Sequence, residues 1–140
     1  MTLLEKRAWT MLVTAAVAYL AYVVVVLRRA DGQGLAGAAY AAPMLWSIGL
    51  AIATNVVVEI AWSAAPGASR EADVRDREIG WFGDRVGQAF VVLGAVAAML
   101  LAMAEARPFW TANAVYLGFV LSAVVGSVAK VVAYRRGLPW

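Results

Sequence analysis

The sequence predicts an all-α, polytopic membrane protein with four transmembrane helices in two hairpins and both termini in the cytoplasm. Hydrophobic residues make up 64% of the 140 residues and charged residues only 15%, against about 45–50% and about 25% in soluble domains. Four stretches poor in charge each reach the roughly 20 residues that cross a bilayer. Basic residues are distributed unevenly between the ends of these stretches. We therefore treat residues 1–140 as one four-helix transmembrane domain.

The first two predicted spans form the N-terminal hairpin. The span at 8–27 contains no charged residue and is followed by Arg28, Arg29 and a glycine-rich turn at 31–37. Its apolar run is longer than the core of a signal peptide, so we expect it to remain in the mature chain. The span at 43–63 begins at Pro43, which a first helical turn accepts.

The last two predicted spans, at 86–104 and 109–129, form the C-terminal hairpin, and Pro108 stands at the entry of the fourth span. Between the hairpins, residues 64–85 are rich in charge and are predicted to be a water-exposed cytoplasmic loop. An apolar edge at Val74, Trp81 and Phe82 favours a short interfacial helix leading into the third span.

Charge asymmetry orients the four spans. Nine of the twelve basic residues lie at the termini or in the middle loop, namely Lys6, Arg7, Arg70, Arg75, Arg77, Arg85, Lys130, Arg135 and Arg136. The two hairpin connections hold only Arg28, Arg29 and Arg107. Because cytoplasmic segments carry the excess of Lys and Arg, we expect both termini and the middle loop on the cytoplasmic side of the inner (plasma) membrane. All six tryptophans fall near predicted span ends, as in an aromatic belt.

Small residues recur at helical spacing on three spans. The stripes comprise Gly83 and Gly87 before and within the third span, Gly118, Ser122 and Gly126 on the fourth, and Ser47, Ala51, Asn55, Glu59 and Ser63 on the second. Such ridges let helices approach closely in lipid. They predict either the inside of a monomeric four-helix bundle or, in part, a homo-oligomer interface or pore lining.

Glu59 is the one Asp, Glu, Lys or Arg side chain within a predicted span. It lies four to six residues from the inner boundary, about 6–9 Å deep, where a bare carboxylate is costly. One interpretation is a proton, ion or ligand site of Glu59, Asn55 and Trp62, the indole offering a surface for an organic cation. The other is a structural ion pair with a basic residue of the inner cluster, such as Lys130 at the end of the fourth span or Arg85 at the start of the third.

The middle loop alternates acids and arginines. We expect Asp73, Arg75, Asp76, Arg77, Asp84 and Arg85 to form an ion-pair network that fixes the loop or docks a cytoplasmic protein partner. A magnesium site for phosphoryl transfer on a lipid headgroup, built from the three aspartates, is disfavoured because arginines flank each one.

The composition excludes many reaction classes. The chain has no cysteine and no histidine, which removes disulfides, thiol nucleophiles and the usual zinc and haem ligands. We expect a non-enzymatic protein with no metal and no cofactor. Membrane topology accounts for the basic residues, so no direct nucleic-acid binding is expected.

Four segments resemble a known group of proteins. These are Glu71-Ala72-Asp73-Val74-Arg75-Asp76-Arg77, Gly83-Asp84-Arg85, Phe109-Trp110-Thr111-Ala112-Asn113 and Tyr134-Arg135-Arg136-Gly137. Over about residues 70–137 the chain resembles small four-span prokaryotic membrane proteins grouped as a domain of unknown function, with a Glu-Arg-Asp-Arg loop before the third span. Members often accompany small helix-turn-helix regulators, so the resemblance implies a regulatory or sensing membrane component and supplies no catalytic residues.

Two functions remain open on the sequence alone. The first is a homo-oligomeric regulatory, sensing or scaffold component of the inner membrane, with the lipid bilayer and a cytoplasmic protein as its partners. The alternative is a small proton- or cation-coupled transporter or channel that uses Glu59.

Overall fold

The chain forms four helices, each long and apolar enough to span a membrane. The computed structural model describes residues 2–31, 34, 37, 39–65 and 73–140, and these contain no strand. The helices are α1 (Leu3–Arg29), α2 (Ala41–Ala64), α3 (Val74–Met103) and α4 (Pro108–Arg136). At the α-helical rise they are about 36–45 Å long, more than the roughly 30 Å of hydrocarbon in a bilayer. The prediction of an all-α, four-span fold is confirmed.

Local sequence explains where three of the helices begin. The Thr2 hydroxyl caps α1 by accepting a hydrogen bond from the Glu5 backbone N–H at 3.2 Å. Pro108 opens α4, where its missing N–H costs no helical hydrogen bond. At α3 the Asp73 carboxylate accepts from the Arg75 backbone N–H at 2.6 Å, and the Asp76 carboxylate accepts from the Asp73 N–H at 3.3 Å. This reciprocal capping box marks a helix start.

The start of α3 differs from the sequence-based expectation. Residues 64–85 were expected to be a loop containing a short interfacial helix that leads into the third span, and in the structure one continuous helix runs from Val74 to Met103. The Asp73 cap starts the helix, and no proline follows it within α3. The loop between the hairpins is therefore shorter, and its residues 66–72, which include Arg70 and Glu71, lie outside the described residues. Most of the predicted turn at 31–37 lies outside them as well.

The described helices pack as an open row in the order α2, α1, α4, α3. Extensive contacts join α3 to α4, α4 to α1, and α1 to α2, whereas α2 and α3 share at most a marginal contact. In α2, Ser47 is the one buried residue. Both outer helices of the row, α2 and α3, therefore leave a broad face without a protein neighbour in the described chain.

Small residues determine the close approach of α3 to α4. A Cβ added at Gly94 would lie 2.8 Å from the Gly118 Cα, and one added at Gly87 would lie 2.8 Å from the Ser122 carbonyl oxygen. A Cβ added at Gly126 would lie 3.0 Å from the Gly83 carbonyl oxygen. The two glycine-bearing stripes thus face each other within one chain.

Candidate functional site

Three ion pairs lie at one end of the row, which we call the basic end: the start of α1 and α3 and the end of α2 and α4. The Arg7 guanidinium contacts the Glu59 carboxylate at 2.7 Å, joining α1 to α2. Arg135 Nε contacts Glu5 Oε1 at 3.2 Å, joining α4 to α1, and Lys130 Nζ contacts Asp84 Oδ1 at 2.7 Å, joining α4 to α3. Each pair links helices that are neighbours in the row.

Glu59 is held by Arg7, a basic residue of the inner cluster, and not by Lys130 or Arg85. Lys130 is engaged with Asp84 on the other side of α4, and Arg85 is exposed on α3, which barely contacts α2. The expected ion pair between Glu59 and a basic residue of the inner cluster is therefore present, but Arg7 forms it in place of Lys130 or Arg85, the two named candidates. Arg7 also donates to the Ser63 hydroxyl at 3.1 Å, one turn beyond Glu59 on α2. The Glu59 side chain remains 48% exposed, so the ion pair stands at an open surface.

A groove of about 740 Å³ extends from this ion pair between α1, α2 and α4. Arg7 and Glu59 line its basic end, Asn55 lies one turn further along α2, and Tyr116 lines the opposite part. Apolar side chains such as Phe119 form most of the remaining wall. The Asn55 amide donates to the Ala51 carbonyl of its own helix at 2.9 Å. The groove is an elongated apolar surface with its charges confined to one end.

Trp62 does not join Glu59 and Asn55 in the groove. Its ring lies beneath the Lys6 ammonium, 5.0 Å from nitrogen to ring centroid, and it is absent from the groove lining. This is a cation–π contact between the start of α1 and the end of α2. The structure therefore brings together Glu59 and Asn55, two of the three residues predicted as a site. The third, Trp62, instead stabilises the contact between α1 and α2.

A cluster of aromatic rings and hydroxyl groups lies in the half of the row away from the basic end. It was not predicted from the sequence. The Tyr22 hydroxyl donates to Asn113 Oδ1 at 2.6 Å, and the hydroxyls of Ser47 and Tyr116 are 2.7 Å apart. The Tyr22 and Tyr116 rings meet edge to face with centroids 5.0 Å apart. The cluster joins α1, α2 and α4. The available signal was the spacing of Tyr19 with Tyr22 and of Asn113 with Tyr116, each pair on one helix face.

The six charged residues predicted as a network do not pair with one another. Asp73 and Asp76 form the cap of α3, and Arg75 donates to the Tyr134 carbonyl at 3.5 Å. Asp84 pairs with Lys130 of α4, while Arg77 and Arg85 are exposed. The physical reason is the helix itself, because a carboxylate bonded to its own backbone N–H groups is not directed at an arginine one turn later. Among the described residues, no group of three acidic side chains converges as a metal site would require.

Comparison with known proteins finds no matching family model, no matching curated protein and no matching solved structure.

Proposed function

We propose that this chain is a non-enzymatic, multi-pass protein of the inner membrane that acts as a homo-oligomeric regulatory or scaffold component. The observation that carries the proposal is the position of α2 at the edge of the row. This helix buries only Ser47 among its own side chains. It nevertheless carries Asn55 and Glu59 along the wall of an open groove.

Polar groups on a lipid-facing helix favour a protein partner. Within hydrocarbon, association is driven by close packing and by interhelical hydrogen bonds, and polar side chains preferentially face protein. A second copy seated against α2 would remove the amide of Asn55 and the exposed part of the Arg7–Glu59 pair from lipid. The close α3–α4 contact, by contrast, already uses its small residues within the chain.

The charge distribution supports a cytoplasmic location of the basic end. Nine of the twelve basic residues belong to segments at that end, and the positive-inside rule directs them to the cytoplasm. The first three turns of α3 would then project from the membrane with Arg75 and Arg77 exposed. This helical extension is the surface we propose for a cytoplasmic protein partner, in keeping with the resemblance to regulatory membrane components.

Cysteine crosslinking tests the oligomer directly, because the chain has no cysteine of its own. Val56→Cys places a thiol on the groove face of α2, and Val92→Cys places one on α3 at nearly the same exposure, 52% against 53%. In native membranes we expect oxidised dimers from Val56→Cys and none from Val92→Cys. Equal crosslinking of the two variants, or a monomer in native mass spectrometry of the unmodified protein, would overturn the proposal.

The groove favours a second candidate function, a proton- or cation-coupled transporter. A carboxylate beside an apolar groove of about 740 Å³ is suited to an organic cation. Binding would have to displace Arg7, which is 2.7 Å from Glu59. The test measures proton-linked or cation flux in proteoliposomes that carry either the unmodified chain or the Glu59→Gln variant. Flux that disappears in Glu59→Gln supports transport, and an absence of flux, or full flux in the variant, excludes it.

A further inference from the structure

A second groove lies on the other side of α1, and its chemistry differs from that of the first. It has a volume of about 420 Å³ and runs between α1 and α4 at the basic end. Leu12, Val128, Val131 and Val132 form its apolar part, and Trp9, Arg135 and Arg136 stand at its end. From Val128 to Arg135 the groove follows α4 for about 10 Å. It therefore stays within the leaflet next to the basic end.

The charges at the mouth of this groove do not cancel. Among the described residues, Glu5 is the one acid paired with an arginine of this mouth; its side chain is only 11% exposed, and Arg135 Nε lies 3.2 Å from Glu5 Oε1. The Arg135 guanidinium lies over the Trp9 ring, 5.8 Å from its centroid, and its side chain is 60% exposed. Arg136 is exposed and forms no ion pair with any described residue. One Glu against two Arg leaves a net charge of +1 facing water and lipid.

We propose that this groove binds one anionic phospholipid, with an acyl chain against the valines and the phosphate group between Arg135 and Arg136. Guanidinium groups match phosphate oxygens in geometry and charge, and basic pockets between transmembrane helices bind anionic headgroups. A zwitterionic lipid fits less well, because the described residues that line the groove include no carboxylate for its ammonium group. The first groove differs on this point, since Arg7 and Glu59 neutralise each other there.

The test compares lipids and variants on the full-length protein. The unmodified chain is placed in nanodiscs of phosphatidylglycerol mixed with phosphatidylcholine, released, and examined by native mass spectrometry. We expect one phosphatidylglycerol retained per protomer in preference to phosphatidylcholine. Arg136→Gln should lower that retention about fivefold while keeping the Glu5–Arg135 pair.

Two further variants distinguish binding of the acyl chain from binding of the headgroup. Val128→Trp fills the apolar part and should reduce retention with both arginines intact, whereas Leu45→Trp, an exposed position on α2, should not. The matched charge control is Arg28→Gln/Arg29→Gln, a second adjacent arginine pair at the opposite end of α1. Millimolar inorganic phosphate should not displace the lipid. Equal retention of the two lipids, unchanged retention in Arg136→Gln, equal loss in the Arg28/Arg29 control, or displacement by free phosphate would each refute the proposal.

Discussion

Replacing Gly94 by alanine should separate α3 from α4 and destabilise the chain. An added Cβ would lie 2.8 Å from the Gly118 Cα and 3.1 Å from the Ala114 carbonyl oxygen. Carbon atoms pack best at about 3.5–4.0 Å, so the helix backbones must move apart by about 1 Å. Neither contact is the end of a flexible side chain that could turn aside. Overpacking of this kind costs about 1–3 kcal/mol, and we expect about 2 kcal/mol for Gly94→Ala.

The same chemical change at Gly49 is the matched control. A Cβ there meets nothing within 4 Å, so Gly49→Ala should keep or raise stability by up to about 1 kcal/mol through helix propensity. Thermal unfolding in detergent can be followed by tryptophan fluorescence. The unfolding temperature of Gly94→Ala should lie below that of the unmodified protein, and that of Gly49→Ala should equal or exceed it. The double variant Gly94→Ala/Gly118→Ala should cost less than the sum of the two single variants, because the separation of α3 from α4 that one added Cβ forces also relieves the overlap of the other. If Gly94→Ala unfolds at the temperature of Gly49→Ala, the close α3–α4 contact is wrong.

Three further outcomes follow from individual contacts. Removing the hydroxyl in Tyr22→Phe should cost about 1 kcal/mol, because it breaks the 2.6 Å bond to Asn113; chemical denaturation measures the loss, and an unchanged midpoint would contradict the bond. A double-mutant cycle of Arg7→Gln with Glu59→Gln should give a coupling of about 0.5–3 kcal/mol, as for directly contacting side chains, and a coupling of zero would count against the pair. Asp73→Ala should speed amide exchange in the first turn of α3 while Asp73→Asn preserves the cap; equal exchange in both would argue against capping.

The spans and the small-residue faces could be predicted from the sequence because both depend on short-range patterns. A bilayer fixes the length of an apolar helix, so the positions of α1, α2 and α4 follow from hydropathy alone. Glycine and serine at four-residue spacing lie on one helix face whatever the fold. The stripe at Gly118 and Ser122 does face α3. The spacing of the small residues did not determine whether the helix that packs against this face belongs to the same chain or to a second copy.

The partner of Glu59 could not be predicted, because it depends on which helices are neighbours. Several cationic side chains lie at the basic end. Arg7, Arg85 and Lys130 are equally plausible partners of Glu59 until the order of the helices is known. The row α2, α1, α4, α3 puts Arg7 beside Glu59 and leaves Lys130 with Asp84. The start of α3 differs for another reason: the short helix expected in the charged segment was counted with the loop, whereas the capping box of Asp73 and Asp76 starts the same helix that continues through the third span.

The ion pairs at the basic end join the same pairs of helices that pack against each other. The first turns of α1 supply a carboxylate to α4 through Glu5 and a guanidinium to α2 through Arg7, so α1 is tied on both sides. Ion pairing between described residues joins α3 only to α4, and it does not connect α2 to α3. The row therefore ends in two helices whose outer faces lack both packing and charge partners within the described chain. Of these two faces, that of α2 borders the groove containing Asn55 and Glu59, while α3 exposes mainly apolar side chains along its membrane portion. Lipid can cover the apolar face of α3 without cost, so the protein neighbour that we propose would lie against α2.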